Sequence, residues 1–451
     1  MENYDFTKGD LKAQILKIAI PASIGMFFQT MFNFVDTYFA GKINPDALAG
    51  LTLSFPIFFI IISISYGMST GLTALLSNAL GKKETNRYQL LSYNGFLLSF
   101  ILALITTIVG LKLSPILFKL FNPSDLALDY GLRYTNTIFL GSFFFFSTST
   151  INSLLNSVGE TKFYRNYLIL GFLLNCILDP MFIYGWWFIP KLDALGVALA
   201  TIIIQIVGTI YLLYKLISIN IVDFKSFNFS VFKLEPILAV LKQGLPASFN
   251  MMTIALGSFV INYFITHYGS MSAVAGYGAA LRIEQVGLLP TFGFNVAALS
   301  ISGQNSGAGN YRRVQELYHK CLKYGVSIMI LATLIIYPLA NFWVSLINSS
   351  SEVIGYGSSY LKIEAIAFTT YVFLSISVSI LQGLKFPFYA LYIGIYRQLI
   401  MPIIVFYILG TSLNMGLSGI WWGIVIINWS AVLITMIYTR RKLNFYLELE
   451  K

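Results

Sequence analysis

The chain has 451 residues, of which 57% are hydrophobic and only 11% are charged. A soluble domain could not cover so much apolar area with polar surface, so the composition indicates an integral membrane protein. The formal net charge of +10 would suggest nucleic acid or another acidic partner in a soluble chain, but here Lys and Arg have to be interpreted against the membrane first.

Apolar segments long enough to cross about 30 Å of hydrocarbon, at a rise of about 1.5 Å per residue, recur along the whole chain. They predict an all-α membrane protein with twelve transmembrane helices. The predicted spans are 16–40, 48–78, 88–111, 134–157, 166–188, 194–214, 244–266, 273–304, 324–347, 360–382, 388–410 and 414–438.

The connections between these spans alternate in basicity, which fixes the orientation of a membrane protein. Most of the 29 Lys and Arg residues lie in connections on one side. The opposite side carries Lys42, Lys112, Lys119, Arg133 and Lys191. We therefore expect a multi-pass protein of the plasma membrane, which is the inner membrane in a bacterium, with both termini in the cytoplasm. We also expect the first helix to stay in the mature protein.

The second half of the sequence repeats the first. Ile20-Pro21-Ala22-Ser23 recurs 225 positions later as Leu245-Pro246-Ala247-Ser248, and other short matches recur in order at nearly the same offset. Such a repeat predicts two six-helix bundles related by a pseudo-two-fold axis along the membrane normal. We predict an N-terminal bundle over 1–219, a cytoplasmic linker over 220–243 and a C-terminal bundle over 244–451.

The first predicted helix carries a polar stripe formed by Gln29, Asn33 and Asp36. Their spacing of four and three residues places them on one helix face. The positions 225 residues later hold Ile254, Ser258 and Ile261, so the second half lacks this stripe.

The fifth predicted helix places Asn175 and Asp179 one turn apart, directly before Pro180. A charge at membrane depth costs several kcal/mol, so acids there usually face a bundle interior and serve function. Two alternatives stay open: Asp36 lies near the Gly41-Lys42 loop and could be interfacial, and Asp179 could be tied to backbone groups freed by Pro180.

Further polar side chains are weaker candidates. Tyr134, Asn152 and Thr201, on the fourth and sixth predicted helices, could face the same interior or serve helix packing. In the second half, Glu284 lines the cavity or pairs with another helix, whereas Glu364, close to a lysine in sequence, is expected at a solvated helix end.

The sequence contains no phosphate-binding lysine loop, no zinc-ligand spacing and no nucleophilic serine elbow. We therefore expect neither an enzyme nor a cofactor. Two rival functions have different requirements. A lipid-linked oligosaccharide flippase would need basic residues lining its cavity. A membrane-embedded enzyme such as a polyprenyl transferase would need a paired acidic cluster on a loop for Mg²⁺.

Several motifs together resemble the multidrug and toxic compound extrusion (MATE) family over essentially the full length, and most closely its DinF-like branch. These motifs are Val35-Asp36-Thr37 before Gly41, Ala47-Leu48-Ala49-Gly50, Asn175-x-x-x-Asp179-Pro180, Gly196-Val-Ala-Leu-Ala-Thr201 and Gly303-Gln304-Asn305-x-Gly307-Ala308-Gly309. The resemblance implies a V-shaped pair of bundles that exports organic cations by alternating access in exchange for H⁺ or Na⁺.

The resemblance also implies which residues act. The cation-coupling residues would be Asp36, Asn175, Asp179 and Thr201, which are also the possible Na⁺ ligands, with Tyr134 and Asn152 as supporting residues of the substrate cavity. The helix positions of Gln29, Asn33 and Glu284 add these three to the supporting residues. The NorM-like branch uses acids in the C-terminal lobe, and the isoleucines at 254 and 261 argue against such a site here. We expect a monomer whose partners are small amphiphilic cations and the lipid bilayer, and no nucleic acid.

Overall fold

A computed structural model describes residues 5–120, 123–186, 189–224 and 231–450. These residues form helices and no strand. Residues 187–188 of the fifth predicted span and 225–230 of the predicted linker lie outside this range. The helices are α1 (Leu11–Ile43), α2 (Pro45–Gly81), α3 (Thr85–Leu120), α4 (Asp125–Leu140), α5 (Ser142–Ser157), α6 (Thr161–Tyr184), α7 (Ala194–Ser218), α8 (Leu234–Tyr268), α9 (Met271–Gly307), α10 (Tyr311–Ile336), α11 (Ala340–Ser345), α12 (Ser351–Ala365), α13 (Phe368–Gly383), α14 (Phe388–Ile395), α15 (Met401–Tyr407) and α16 (Gly416–Leu449).

The prediction of twelve membrane spans is confirmed for the described residues. Ten helical segments are long and apolar enough to cross a membrane, and two bent helix pairs bring the number to twelve. The pair α4 and α5 bends by 49°, and the pair α12 and α13 bends by 53°. These are the fourth and tenth spans, so the bend recurs in the same place in both halves of the repeat.

The eleventh span is interrupted by two π-helical turns. They cover Tyr396–Ile400, between α14 and α15, and Ile408–Ser412, after α15. Pro402, in the first turn of α15, has no backbone N–H, and its ring would clash with the carbonyl of the preceding turn of a regular helix. The wider π-turn relieves this clash, and the helix continues without a break in the span.

The described residues form two compact units, which differ from the predicted bundles in where each first helix begins. The first unit contains Ile24–Ser248, and the second contains Asp5–Ser23 together with Phe249–Lys451. The start of α1 therefore packs with the C-terminal half, and the start of α8 packs with the N-terminal half. The two crossover points lie 225 residues apart, which is the offset of the sequence repeat.

Glycines explain how these helix starts pack so closely. In the second unit, a side chain at Gly293 of α9 would collide with the backbone carbonyl of Ala19 in α1. In the first unit, a side chain at Gly67 of α2 would collide with the backbone of Gly244 and Ser248 in α8. Gly67 and Gly293 occupy equivalent positions of the repeat, so each half uses one glycine for the same close helix contact.

The residues before α1 are held by the end of α9 and the start of α10. The Phe6 N–H donates to Gln304 Oε1 at 2.8 Å, and Asn305 Nδ2 donates to the Phe6 carbonyl at 3.1 Å. The Arg313 guanidinium donates to the carbonyls of Phe6, Lys8 and Gly9 at 2.8 to 3.1 Å. The glycine-rich motif that begins at residue 303 thus has a structural role, because it fixes the chain that enters the first helix.

Candidate functional site

The two acids of the N-terminal half meet across α1 and α6. Asn175 and Asp179 lie one turn apart on α6 and are both fully buried. Asn175 Nδ2 donates a hydrogen bond of 2.8 Å to Oδ1 of the half-buried Asp36 on α1. The carboxyl groups of Asp36 and Asp179 lie close enough to interact electrostatically. The polar face of α1 and the polar face of α6, which the sequence predicted separately, therefore form one cluster.

Several oxygens in this cluster have no hydrogen-bond partner. Both carboxylate oxygens of Asp179 and Oδ1 of Asn175 are buried without one among the described residues. A buried polar atom left without a partner costs about 1–3 kcal/mol, and more when it is charged. Two adjoining carboxyls in an apolar interior can hold a shared proton, or can bind a small cation that prefers oxygen ligands. The cluster therefore has the chemistry of an ion-exchange site.

The structural explanations for the two acids are weakened by this geometry. Asp179 accepts no hydrogen bond from the backbone around Pro180, and α6 continues past that proline to Tyr184. Asp36 is bonded to Asn175 inside the unit, so it is not merely an interfacial residue.

Of the other predicted residues, only Tyr134 joins the cluster. Its side chain on α4 is 9% exposed and lies near both carboxyls. Thr201 is buried, but its hydroxyl donates to the Val197 carbonyl of its own helix at 3.0 Å. Asn152, half-buried on α5, has an unpartnered buried Oδ1. No described contact joins Thr201, Asn152, Gln29 or Asn33 to the two acids; Gln29 is half-buried and Asn33 is exposed.

A second buried acid pair lies in the C-terminal half. Glu284 on α9 is 5% exposed and accepts a hydrogen bond of 2.7 Å from the Tyr360 hydroxyl. Glu364 on α12 is 0% exposed and accepts one of 2.8 Å from the Tyr371 hydroxyl. The remaining oxygen of Glu364 has no partner among the described residues.

An arginine accompanies this second pair. The Arg397 guanidinium lies 5.6 Å from the centre of the Tyr371 ring, close enough to both glutamates to interact electrostatically. Here a fixed cation and two phenol donors offset the buried charge. In the described part of the chain, the Asn175 amide is the one hydrogen-bond donor to the pair in the N-terminal half, which leaves other oxygens of that pair available to an ion.

One sequence-based expectation about the C-terminal half is therefore wrong. Glu364 is fully buried and not at a solvated helix end. Residues two apart on a helix face different directions, so the nearby Lys362 does not indicate the environment of Glu364. The spacing of Tyr360 and Glu364, one turn apart, was the available signal, because it places a phenol and a carboxylate on one helix face.

Comparison with known proteins agrees with this fold. The sequence model of the MatE family matches residues 21–181 and 246–408, one segment in each half. The probable multidrug resistance protein YpnP of Bacillus subtilis strain 168 is 26% identical to this chain, and the aligned region covers 80% of each protein. The FAD transporter of Shewanella oneidensis is also 26% identical, over 86% of this chain and 85% of its own.

A solved structure leads to the same assignment. It is an outward-facing conformation of a multidrug resistance MATE family transporter of the MOP superfamily, with a TM-score of 0.92, 26% identity and coverage of 98% of both chains. Since the family model spans more than half of the sequence, the chain belongs to the MatE family of multidrug and toxic compound extrusion proteins, which are membrane transporters and not enzymes.

Proposed function

We propose that the protein is a cation-coupled antiporter that exports organic cations across the plasma membrane by alternating access. One observation carries this proposal: Asn175 donates a hydrogen bond of 2.8 Å to Asp36, beside a fully buried Asp179 whose two carboxylate oxygens have no hydrogen-bond partner among the described residues. Ionised, such a group attracts a cation; neutralised by H⁺ or Na⁺, it does not.

Exchange follows from this charge reciprocity. In the outward-open state, H⁺ or Na⁺ enters the pair of acids and neutralises it, so a bound organic cation loses its electrostatic attraction and leaves. In the inward-open state, the ion departs, and the ionised pair attracts the next organic cation. The two ligands bind opposite charge states of one site, so the inward gradient of one drives the outward movement of the other.

The neighbouring side chains have distinct roles in this scheme. Asn175 fixes one oxygen of Asp36 with its amide N–H and keeps its own Oδ1 available as an ion ligand. Tyr134 lies close enough to both carboxyl groups to interact with them electrostatically. If Na⁺ is the coupling ion, the Thr201 oxygen can offer a lone pair to it while its hydrogen stays donated to the Val197 carbonyl.

Glu284 completes the proposal as a residue of the substrate cavity. Its carboxylate is buried and oriented by the Tyr360 hydroxyl. The nearby Arg397 balances part of its charge, so this group is less suited to binding a further ion than the Asp36 and Asp179 pair. The DinF-like assignment, the monomeric state and the cytoplasmic termini belong to this proposal as well.

The test is transport by the purified protein in liposomes. Efflux of ethidium is followed under an imposed pH gradient and, separately, an imposed Na⁺ gradient. We expect one gradient to drive efflux in the wild type and Asp36→Asn to abolish it. Asp129→Asn is the matched control, because it removes an exposed carboxylate that is paired with Arg133 on α4. Efflux that needs neither gradient, or that survives Asp36→Asn, would contradict the proposal and favour the flippase.

A further inference from the structure

Two lysines that no part of the transport cycle uses are held over aromatic rings at equivalent ends of the two halves. The Lys215 ammonium in α7 lies 5.2 to 5.8 Å from the ring centres of Phe163, Tyr211 and Tyr214. The Lys442 ammonium in α16 lies 4.5 Å from the ring centre of Phe386 and 5.7 Å from that of Tyr438.

The two clusters are copies of one arrangement. In each, a tyrosine precedes the lysine by four residues, so the two side chains share one helix face. Lys442 lies 227 positions after Lys215, close to the offset of the repeat. In each, the phenylalanine comes from the segment at the beginning of the preceding span: Phe163 lies in the first turn of α6, and Phe386 lies just before α14.

Neither ammonium is neutralised by the described part of the chain. Among those residues, the side-chain ammonium groups of Lys215 and Lys442 form no ion pair and no hydrogen bond. Lys162, which shares the Phe163 ring, is different because it is paired with Glu160 at 2.9 Å. Aromatic faces attract a cation and hold it in place, but they cannot cancel its charge or accept its N–H groups as an anion would.

The helix dipole does not explain both lysines. Lys215 is in the last turn of α7, where the C-terminal carbonyls favour a cation. Lys442 lies about two turns before the end of α16, outside the reach of that effect. The two positions share aromatic rings around the ammonium group and the lack of an ion pair among the described residues.

The surroundings of the clusters are those of a membrane surface. The helices that carry the first cluster expose Leu170 and Leu173 on α6 and Ile217 on α7. The helix that carries Lys442 exposes Leu433 and Ile437, one to three turns from the lysine. The distribution of Lys and Arg assigns both clusters to the cytoplasmic side, where the leaflet is rich in anionic lipid. A phospholipid can pair its phosphate with the ammonium while its acyl chains cover the apolar side chains.

We propose that each cluster is a binding site for the headgroup of an anionic phospholipid of the cytoplasmic leaflet, one site in each half. The ammonium pairs with the phosphate, and the rings fix the ammonium at the level of the headgroups.

Native mass spectrometry of the full-length protein tests this proposal. The protein is released from nanodiscs containing equal amounts of phosphatidylglycerol and phosphatidylethanolamine, and the lipids retained are counted. We expect preferential retention of one phosphatidylglycerol per site. Lys215→Gln and Lys442→Gln should each weaken one site about fivefold, because a basic residue near an anionic surface contributes about 1 kcal/mol. The double variant should lose the preference for phosphatidylglycerol.

Three controls make the result decisive. Lys215→Arg and Lys442→Arg keep the charge and should keep the lipid. Lys42→Gln removes a lysine that lies 5.6 Å from the Tyr38 ring on the side predicted to be extracellular, and should change nothing. Inorganic phosphate should not displace the lipid. Equal retention of both lipids, a double Gln variant that melts and binds like the wild type, or displacement by phosphate would each overturn the proposal.

Discussion

Replacing Asn175 by Leu tests whether the amide on α6 holds the ionised acid pair in place. Leucine branches at the same carbon as asparagine but is larger and has no polar atom, so the substitution removes the hydrogen bond to Asp36 Oδ1 without opening a cavity. A hydrogen bond to a charged group contributes about 1.5–3 kcal/mol. Since an organic cation binds the ionised pair, Asn175→Leu should weaken its binding by about 10- to 150-fold.

The assay is equilibrium binding of ethidium to the purified protein by fluorescence polarisation. Asn152→Leu is the matched control, because Asn152 also carries a buried amide oxygen but has no described contact with the acids. It should bind ethidium within about twofold of the wild type, which is less than the effect of one hydrogen bond. Unchanged affinity in Asn175→Leu, or an equal loss in both variants, would refute the reasoning.

Three further predictions concern the fold. Tyr360→Phe should lower the free energy of unfolding by about 1–3 kcal/mol, because it removes the donor to the buried Glu284 carboxylate, and thermal melts in detergent would measure this. Gly293→Ala should lower the melting temperature because its methyl group would collide with the α1 backbone, whereas Gly355→Ala has open space and should raise the stability by about 0.5–1 kcal/mol. Arg313→Ala should accelerate amide hydrogen exchange in the segment before α1, whose carbonyls it binds.

Each of these fold predictions has a result that would contradict it. A melting temperature unchanged by Tyr360→Phe would mean that water or another group replaces the phenol. Equal effects of the two glycine substitutions would mean that α1 and α9 can move apart at no cost. Unchanged exchange in Arg313→Ala would mean that Gln304 and Asn305 alone hold the segment.

The spans and their repeat could be predicted because hydrophobic length and a fixed offset are properties of the sequence itself. The bends in the fourth and tenth spans could not, because a bend beside Gly141 leaves the hydropathy of the segment unchanged. The sequence also did not predict that the start of α1 packs with the C-terminal half. Side-chain packing, and not chain order, places residues 5–23 in that unit.

The acids show the same limit. The spacing of Asn175 and Asp179 placed them on one face, but only the packing of α6 against α1 brings that face to Asp36. Thr201 matched the family motif just as well, yet its hydroxyl is used by its own helix. The spacing of Tyr360 and Glu364 indicated a shared helix face, but the partners of Glu364, which are Glu284, Tyr371 and Arg397, come from other helices and could not be identified from its immediate sequence.

Ion release on substrate binding tests the central claim, that one acid pair serves the coupling ion and the substrate in turn. Ethidium is added to the purified protein in weakly buffered solution, and the release of H⁺ is followed with a pH dye, or the release of Na⁺ with a sodium indicator. We expect the wild type and Asp129→Asn to release the ion as ethidium binds, and Asp36→Asn to release none. Binding of ethidium without release of either ion, or undiminished release from Asp36→Asn, would contradict the account.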